Sequence, residues 1–119
     1  MPKEDFSIEN WATQARKGLL EFAILKSLTH GERYAYHLVK ELAAIEGLGI
    51  SEGTIYPLLS RLRKTGLVET RLVESDEGPA RKYYNLTSYG KRQFDLMDTY
   101  LSNLKAGLDS INNEKETRA

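Results

Sequence analysis

The sequence predicts a mainly α protein carrying one small β-hairpin, on three observations. Segments in the first half repeat apolar residues at helical spacing between glycine stops. Two runs rich in β-branched and aromatic residues flank the turn-forming stretch Ser75-Asp76-Glu77-Gly78-Pro79. From Phe94 onward, apolar residues return every three or four positions. A chain of 119 residues fits one domain and can bury a core without metals or disulfides. With no cysteine there is neither a disulfide framework nor a thiolate metal site, so a reducing compartment is expected. The N-terminus carries acids early and no stretch approaches the ~18 apolar residues of a membrane span. A cytoplasmic protein with no membrane partner is the expectation.

The first helix is predicted over Ala12–Leu28, stopped by His30-Gly31. Trp11, Ala15, Gly18 and Phe22 form one stripe, and Leu20, Ile24 and Leu28 lie nearly opposite. A helix apolar on two sides is sandwiched, which leaves the Trp11 stripe for a second layer or a partner chain. A second helix is predicted over Ala35–Glu46, burying Leu38, Val39, Leu42 and Ile45, with Gly47 and Gly49 as breakers. A third starts at an N-cap Ser51 and buries Ile55, Leu58, Leu59 and Leu62 before Gly66. Pro57 interrupts it, removing the hydrogen bond to the Gly53 carbonyl, so the helix either kinks there or starts near Pro57. The hairpin follows, with strands at Leu67–Glu74 and Ala80–Leu86. Thr87 is then an N-cap for a long last helix, in which Phe94, Met97, Leu101, Leu104, Leu108 and Ile111 keep the a/d spacing of a coiled-coil seam.

Helix, helix, helix, hairpin, helix contains the layout of a winged helix-turn-helix, two neighbouring helices followed by a two-stranded wing, with one long helix after it whose seam is a candidate for dimerisation. The corresponding division is an N-terminal arm over 1–10, the winged domain over 11–86, the dimerisation helix over 87–112 and a disordered tail over 113–119. The 17 basic residues equal the 17 acidic ones, a weak global signal for a nucleic-acid binder. The charges are unevenly placed, however. Arg61, Arg63, Lys64, Arg71, Arg81, Lys82, Lys91 and Arg92, against the acids Glu69, Glu74, Asp76 and Glu77, make the middle of the chain locally basic, while much of the compensating acid sits near the N-terminus, around Glu41 and Glu46, and in the last helix.

The outward face of the third helix combines Tyr56, Ser60, Arg61 and Lys64. Such groups can bond phosphates and base edges, and a helix N-terminus favours an anion. An ordinary solvated face would read the same way. Arg81-Lys82-Tyr83 adds a basic strand after the turn, suited to lying along a phosphate backbone, although charge on a strand edge also discourages aggregation. Tyr36 and Tyr56 are further candidates for phosphate contact. The seam from Phe94 to Ile111 spans under three heptads, and its spacing alone does not separate a dimer seam from packing on the first helix. Leu96, Tyr100 and the Trp11 stripe leave more apolar surface than one small domain easily hides, which favours a partner copy. His30 and His37 are the only histidines and fit no metal-ligand pattern. No nucleophile elbow or phosphate loop is present, so no catalysis and no cofactor are expected.

The run Gly53-Thr54-Ile55-Tyr56-Pro57-Leu58-Leu59-Ser60-Arg61-Leu62, followed by Lys64-Thr65-Gly66-Leu67-Val68, resembles the recognition-helix motif of the PadR family of bacterial transcription regulators. Tyr34-Ala35-Tyr36, Arg81-Lys82-Tyr83-Tyr84-Asn85-Leu86-Thr87 and Gly90 extend the likeness, which covers most of Leu19–Gly90. Ala35 departs from it, standing where the family often has glycine, and Glu32-Arg33 is not its usual pair.

The resemblance implies a homodimer that binds an inverted-repeat operator in double-stranded DNA, usually as a repressor, often of genes for phenolic-acid detoxification or drug export. A single short last helix is similar to the smaller subfamily. The resemblance further implies one helix from about Glu52 despite Pro57. It points to Tyr36, Ser51, Thr54, Tyr56, Ser60, Arg61, Lys64, Arg81, Lys82 and Tyr83 as the DNA-facing set. For some members it implies a pocket between first and last helices for a planar aromatic, phenolic or drug-like effector. The matching residues here are Trp11, Ala15, Phe22, Met97, Tyr100 and Leu101. Two other functions fit the same features: a winged-helix protein-interaction module that does not read DNA, and a small-molecule binder built on the interface cavity.

Overall fold

The computed structural model describes residues 5–118, with side chains through Ile111. Its elements in order are α1 (Ile8–Leu28), β1 (Arg33–Tyr34), α2 (Ala35–Ala43), α3 (Glu52–Lys64), β2 (Val68–Ser75), β3 (Gly78–Leu86) and α4 (Ser88–Arg118). Four helices and a small antiparallel sheet make the mainly α architecture that the apolar spacing predicts.

Helix α1 begins four residues earlier than expected, because the Ser7 hydroxyl accepts the Asn10 N–H at 3.3 Å and Glu9 sits in the first turn, where an acid is favoured. The expected arm over 1–10 is therefore helical from Ile8. Only the last two turns of α1 are buried, through Ile24, Leu25, Ser27 and Leu28, while Trp11 is exposed.

Helix α2 stops at Ala43, short of the predicted Glu46, and Ile45 is exposed rather than core. The chain turns there through Ile45 N–H to Leu42 O and Leu48 N–H to Ile45 O, helped by positive φ at Gly47 and Gly49. That turn buries Leu48 and Ile50, two core residues that spacing arguments miss because they lie outside any helix.

Helix α3 runs unbroken through Pro57. The proline is exposed and the carbonyl it leaves free, that of Gly53, lies in an exposed turn where water can satisfy it. Ile55, Leu59 and Leu62 are fully buried against Ile24, Leu25, Leu38 and Leu42, with Val68, Tyr84, Leu86 and Phe94 closing the core.

The sheet has three strands in the order β1-β3-β2 rather than the two of a bare hairpin. Strand β1 pairs Arg33 with Tyr84 and Tyr34 with Tyr83. Strands β2 and β3 pair from Val68 with Leu86 to Val73 with Arg81, and a bulge between Val73 and Ser75 tightens the turn to Asp76-Glu77. Pro79 falls at this irregularity, where a missing N–H breaks no regular ladder.

Thr87 joins the wing to α4. Its hydroxyl accepts the Gly90 N–H at 2.9 Å and donates to the Gly66 carbonyl at 2.6 Å, so one side chain caps α4 and ties it to the turn after α3. Thr87→Ala should cost about 1–2 kcal/mol and lower the melting temperature by roughly 5 °C, with Thr87→Ser recovering most of it. Calorimetry of the three proteins checks this.

Helix α4 continues to Arg118, so the tail expected to be disordered from 113 is helical through 118, and Ala119 lies outside the described residues. No glycine or proline follows Gly107 to stop it, and Glu and Lys are good helix formers. Phe94 packs into the protomer core, stacked on Phe22 at 5.2 Å, and so leaves the expected dimer seam. Leu104, Leu108 and Ile111 remain exposed.

Candidate nucleic-acid interface

A groove of about 570 Å³ runs between the start of α2, the outer flank of α3 and the wing. Tyr34, Tyr36, Tyr56, Arg81, Lys82 and Tyr84 line it. Strand pairing delivers Tyr34 to this place: β1 hydrogen-bonds to β3, and α2 starts at the next residue with Tyr34 as its N-cap. Tyr34 contacts Tyr83 at 5.8 Å, Tyr36 at 6.1 Å and His37 edge-on at 4.9 Å, a cluster of π-faces beside the wing.

Side chains alternate across a strand, so Arg81 and Lys82 leave β3 on opposite faces. Lys82 shares its face with Tyr84, opposite Leu72 on β2. Arg81 shares the other face with Tyr83, and its guanidinium sits 4.9 Å from the centre of the Tyr34 ring. A cation over a tyrosine face is held there yet keeps its charge. On the same face Arg71 lies 5.8 Å from the Tyr83 ring and pairs with Glu32, its Nε donating at 2.9 Å. The Arg71 hydrogen bond holds the Glu32 carboxyl below its ordinary 4.5, with burial opposing it and the Arg71 charge reinforcing it. Because the folded pKa is depressed, this clasp between β2 and the approach to β1 is complete above about pH 4.5 and is lost as pH falls through the lowered value. Burial raises the Tyr84 phenol above its ordinary value, with the nearby Arg63 charge opposing it.

On α3, Gly53, Pro57, Ser60 and Lys64 occupy the centre of the exposed face. Ser51 is the N-cap as expected, but its hydroxyl meets the Thr54 hydroxyl at 3.2 Å instead of a backbone N–H. Tyr56 turns toward the groove. Arg61 does not: it donates to Glu21 of α1 at 2.6 Å, on the flank away from the wing. Of the residues expected to face DNA, the groove gathers Tyr36, Tyr56, Arg81 and Lys82. Tyr83 stacks behind it, and Ser60 and Lys64 flank it along α3. Tyr34 is the addition that spacing missed, because its strand pairing is invisible without its partner. Arg63, exposed on α3, is not in the lining of the groove.

A second hollow, about 380 Å³ and mostly apolar, lies between α1 and α4. Phe22, Met97, Tyr100 and Leu101 line it as expected, together with Gly18, Leu19, Gln93 and Leu96. Trp11 and Ala15 are not in its lining; they sit further toward the N-terminus of α1. Among the described residues no helix is long and apolar enough to cross a membrane, and no group of His, Asp or Glu could hold a metal ion.

A helical head with an exposed third helix beside a two-stranded wing that carries Arg71, Arg81 and Lys82 defines a winged-helix regulator of transcription. The model of the transcriptional regulator PadR-like family matches residues 24–96, and the chain belongs to that family. Its members are regulators rather than enzymes. A PadR-like transcription factor from Bacteroides fragilis is 36% identical with a TM-score of 0.72, covering 86% of this chain and 98% of that one. A PadR-like transcriptional regulator from Bacillus cereus is also 36% identical, with a TM-score of 0.75 and coverage of 82% and 95%. An uncharacterized protein from Lysinibacillus sphaericus is 32% identical over 77 residues, 63% of this chain and 71% of that protein.

Proposed function

We propose that the protein is a homodimeric cytoplasmic repressor that reads an inverted-repeat operator, with α3 of each protomer entering a major groove and the wing lying on the flanking phosphates. The observation that carries this reading is the groove itself: Arg81 and Lys82 of the wing line it together with Glu77 and with four tyrosines, Tyr34, Tyr36, Tyr56 and Tyr84, from four separate elements beside an exposed helix. Phosphate contacts of this kind position a protein on the duplex, while the polar face of the helix reads base edges. Dimerisation through α1 and α4 would set the two helices about one turn of DNA apart.

Selection of operators from a random duplex library by the purified protein tests it. Paired half-sites about one helical turn apart are expected. Lys82→Ala should weaken binding to all sequences alike and lower the slope of log affinity against log salt by roughly one. Failure to enrich any sequence over random DNA removes the reading.

The apolar hollow between α1 and α4 supports a ligand-responsive form of the same function. Planar phenolic or drug-like compounds seated there would alter the dimer and release the operator. No release by any member of a broad aromatic panel removes the effector while leaving DNA reading intact.

A further inference from the structure

We propose that Arg63, and not Arg61, is the arginine of α3 that engages DNA, and that Glu21 of α1 holds Arg61 out of the interface. This rests on the reading of α3 and the wing as the DNA-facing surface, and it assigns a division of labour between two arginines that the sequence presents as near equivalents.

At about 100° per residue, Arg63 lies within about 20° of Tyr56, seven positions earlier, and about 160° from Arg61. Tyr56 lines the groove, so Arg63 lies on the same side of α3, nearly two turns further along. Its charge reaches the Tyr84 phenol on β3, as does the Tyr56 ring, which places both on the wing side of the helix. Arg63 is exposed and forms no ion pair among the described residues.

Arg61 sits on the opposite flank. Its guanidinium is bonded to Glu21 at 2.6 Å, with the Glu21 side chain 24% and the Arg61 side chain 62% exposed. The pair contributes no net charge, whereas neither Arg63 nor Lys82 of the wing forms an ion pair among the described residues. A duplex strand laid between α3 and the wing therefore meets Arg63. Each phosphate neutralised by such a cation adds roughly one to the salt slope, so the two arginines are distinguishable by a single measurement.

The experiment is a salt titration of binding to one duplex, the operator selected by the wild-type protein, using wild type, Arg63→Ala, Arg61→Ala and Glu21→Gln. Thermal melts confirm that each variant is folded. Arg63→Ala should lower the salt slope by roughly one and weaken binding about tenfold or more at physiological salt. Arg61→Ala should leave the slope unchanged and affinity within about twofold. Glu21→Gln, which frees Arg61 and removes a nearby negative charge, should steepen the slope. Loss of slope in Arg61→Ala equal to or larger than that in Arg63→Ala overturns the assignment while leaving DNA reading intact. A wild-type protein that selects no duplex overturns the DNA reading and this assignment with it.

Discussion

Gly90→Ala should destabilise the protein by about 3 kcal/mol or more, the upper end of what an added methyl does in a packed site. A Cβ at this position would stand 2.0 Å from the Leu67 carbonyl oxygen and 2.9 Å from its carbon. Both are backbone atoms, so no rotamer change relieves the clash, and either the first turn of α4 or the start of the wing must move. Movement there also strains the Thr87 hydrogen bonds to Gly66 and Gly90. A melting temperature lower by roughly 10–15 °C is expected. Gly53→Ala is the control, since its Cβ would meet only the Ser51 hydroxyl at 3.9 Å. Its melting should be unchanged or slightly raised, because alanine favours the helix. Equal melting of the two variants would show that the α4 junction yields more than its packing implies.

The double substitution Leu104→Glu, Leu108→Glu should abolish operator binding without unfolding the protomer. These side chains are 46% and 56% exposed, so within one chain the charges meet water and cost little. In a dimer paired along α4 they would bring four carboxylates into an apolar seam, a strongly unfavourable burial. Sedimentation should give the monomer mass at micromolar concentration. Operator affinity should fall by about 100-fold or more, because two half-sites are then no longer bound as one event. Leu101→Glu is a poorer probe, since Leu101 already lines the hollow against α1 and its loss mixes folding with association. A double variant that remains dimeric would place the partner elsewhere.

Much of this molecule was legible because its helices are amphipathic and glycine-bounded. Ile55, Leu59 and Leu62 recur at the spacing of one helix face, and all three are fully buried. What the spacing could not supply is what depends on a distant partner. Arg33–Tyr34 is a strand only because β3 pairs with it, and two residues carry no periodicity. Leu48 and Ile50 are core because a glycine turn folds them in, not because a helix face presents them. Phe94 fits the heptad spacing of its own helix, but its position opposite Phe22 takes it into the core. The Arg61–Glu21 pair spans 40 residues of sequence, and a helical wheel shows Arg61 on the polar side without showing what stands next to it. Local patterning thus yields elements and faces, whereas the allocation of each charged side chain is settled by packing between elements.

The Thr87 hydroxyl, bonded at once to the turn after α3 and to the first turn of α4, also has a mechanical meaning. With Gly90 seated on the Leu67 carbonyl, it leaves no slack between the long terminal helix and the α3–wing unit. If two copies pair along this helix, a tilt of a few degrees between them would swing each α3–wing unit by the same angle. Half-sites on DNA tolerate little change in separation, since their spacing is fixed by the turn of the duplex. Stiffness at one threonine is what would let a small displacement far from the nucleic acid decide whether both heads land together.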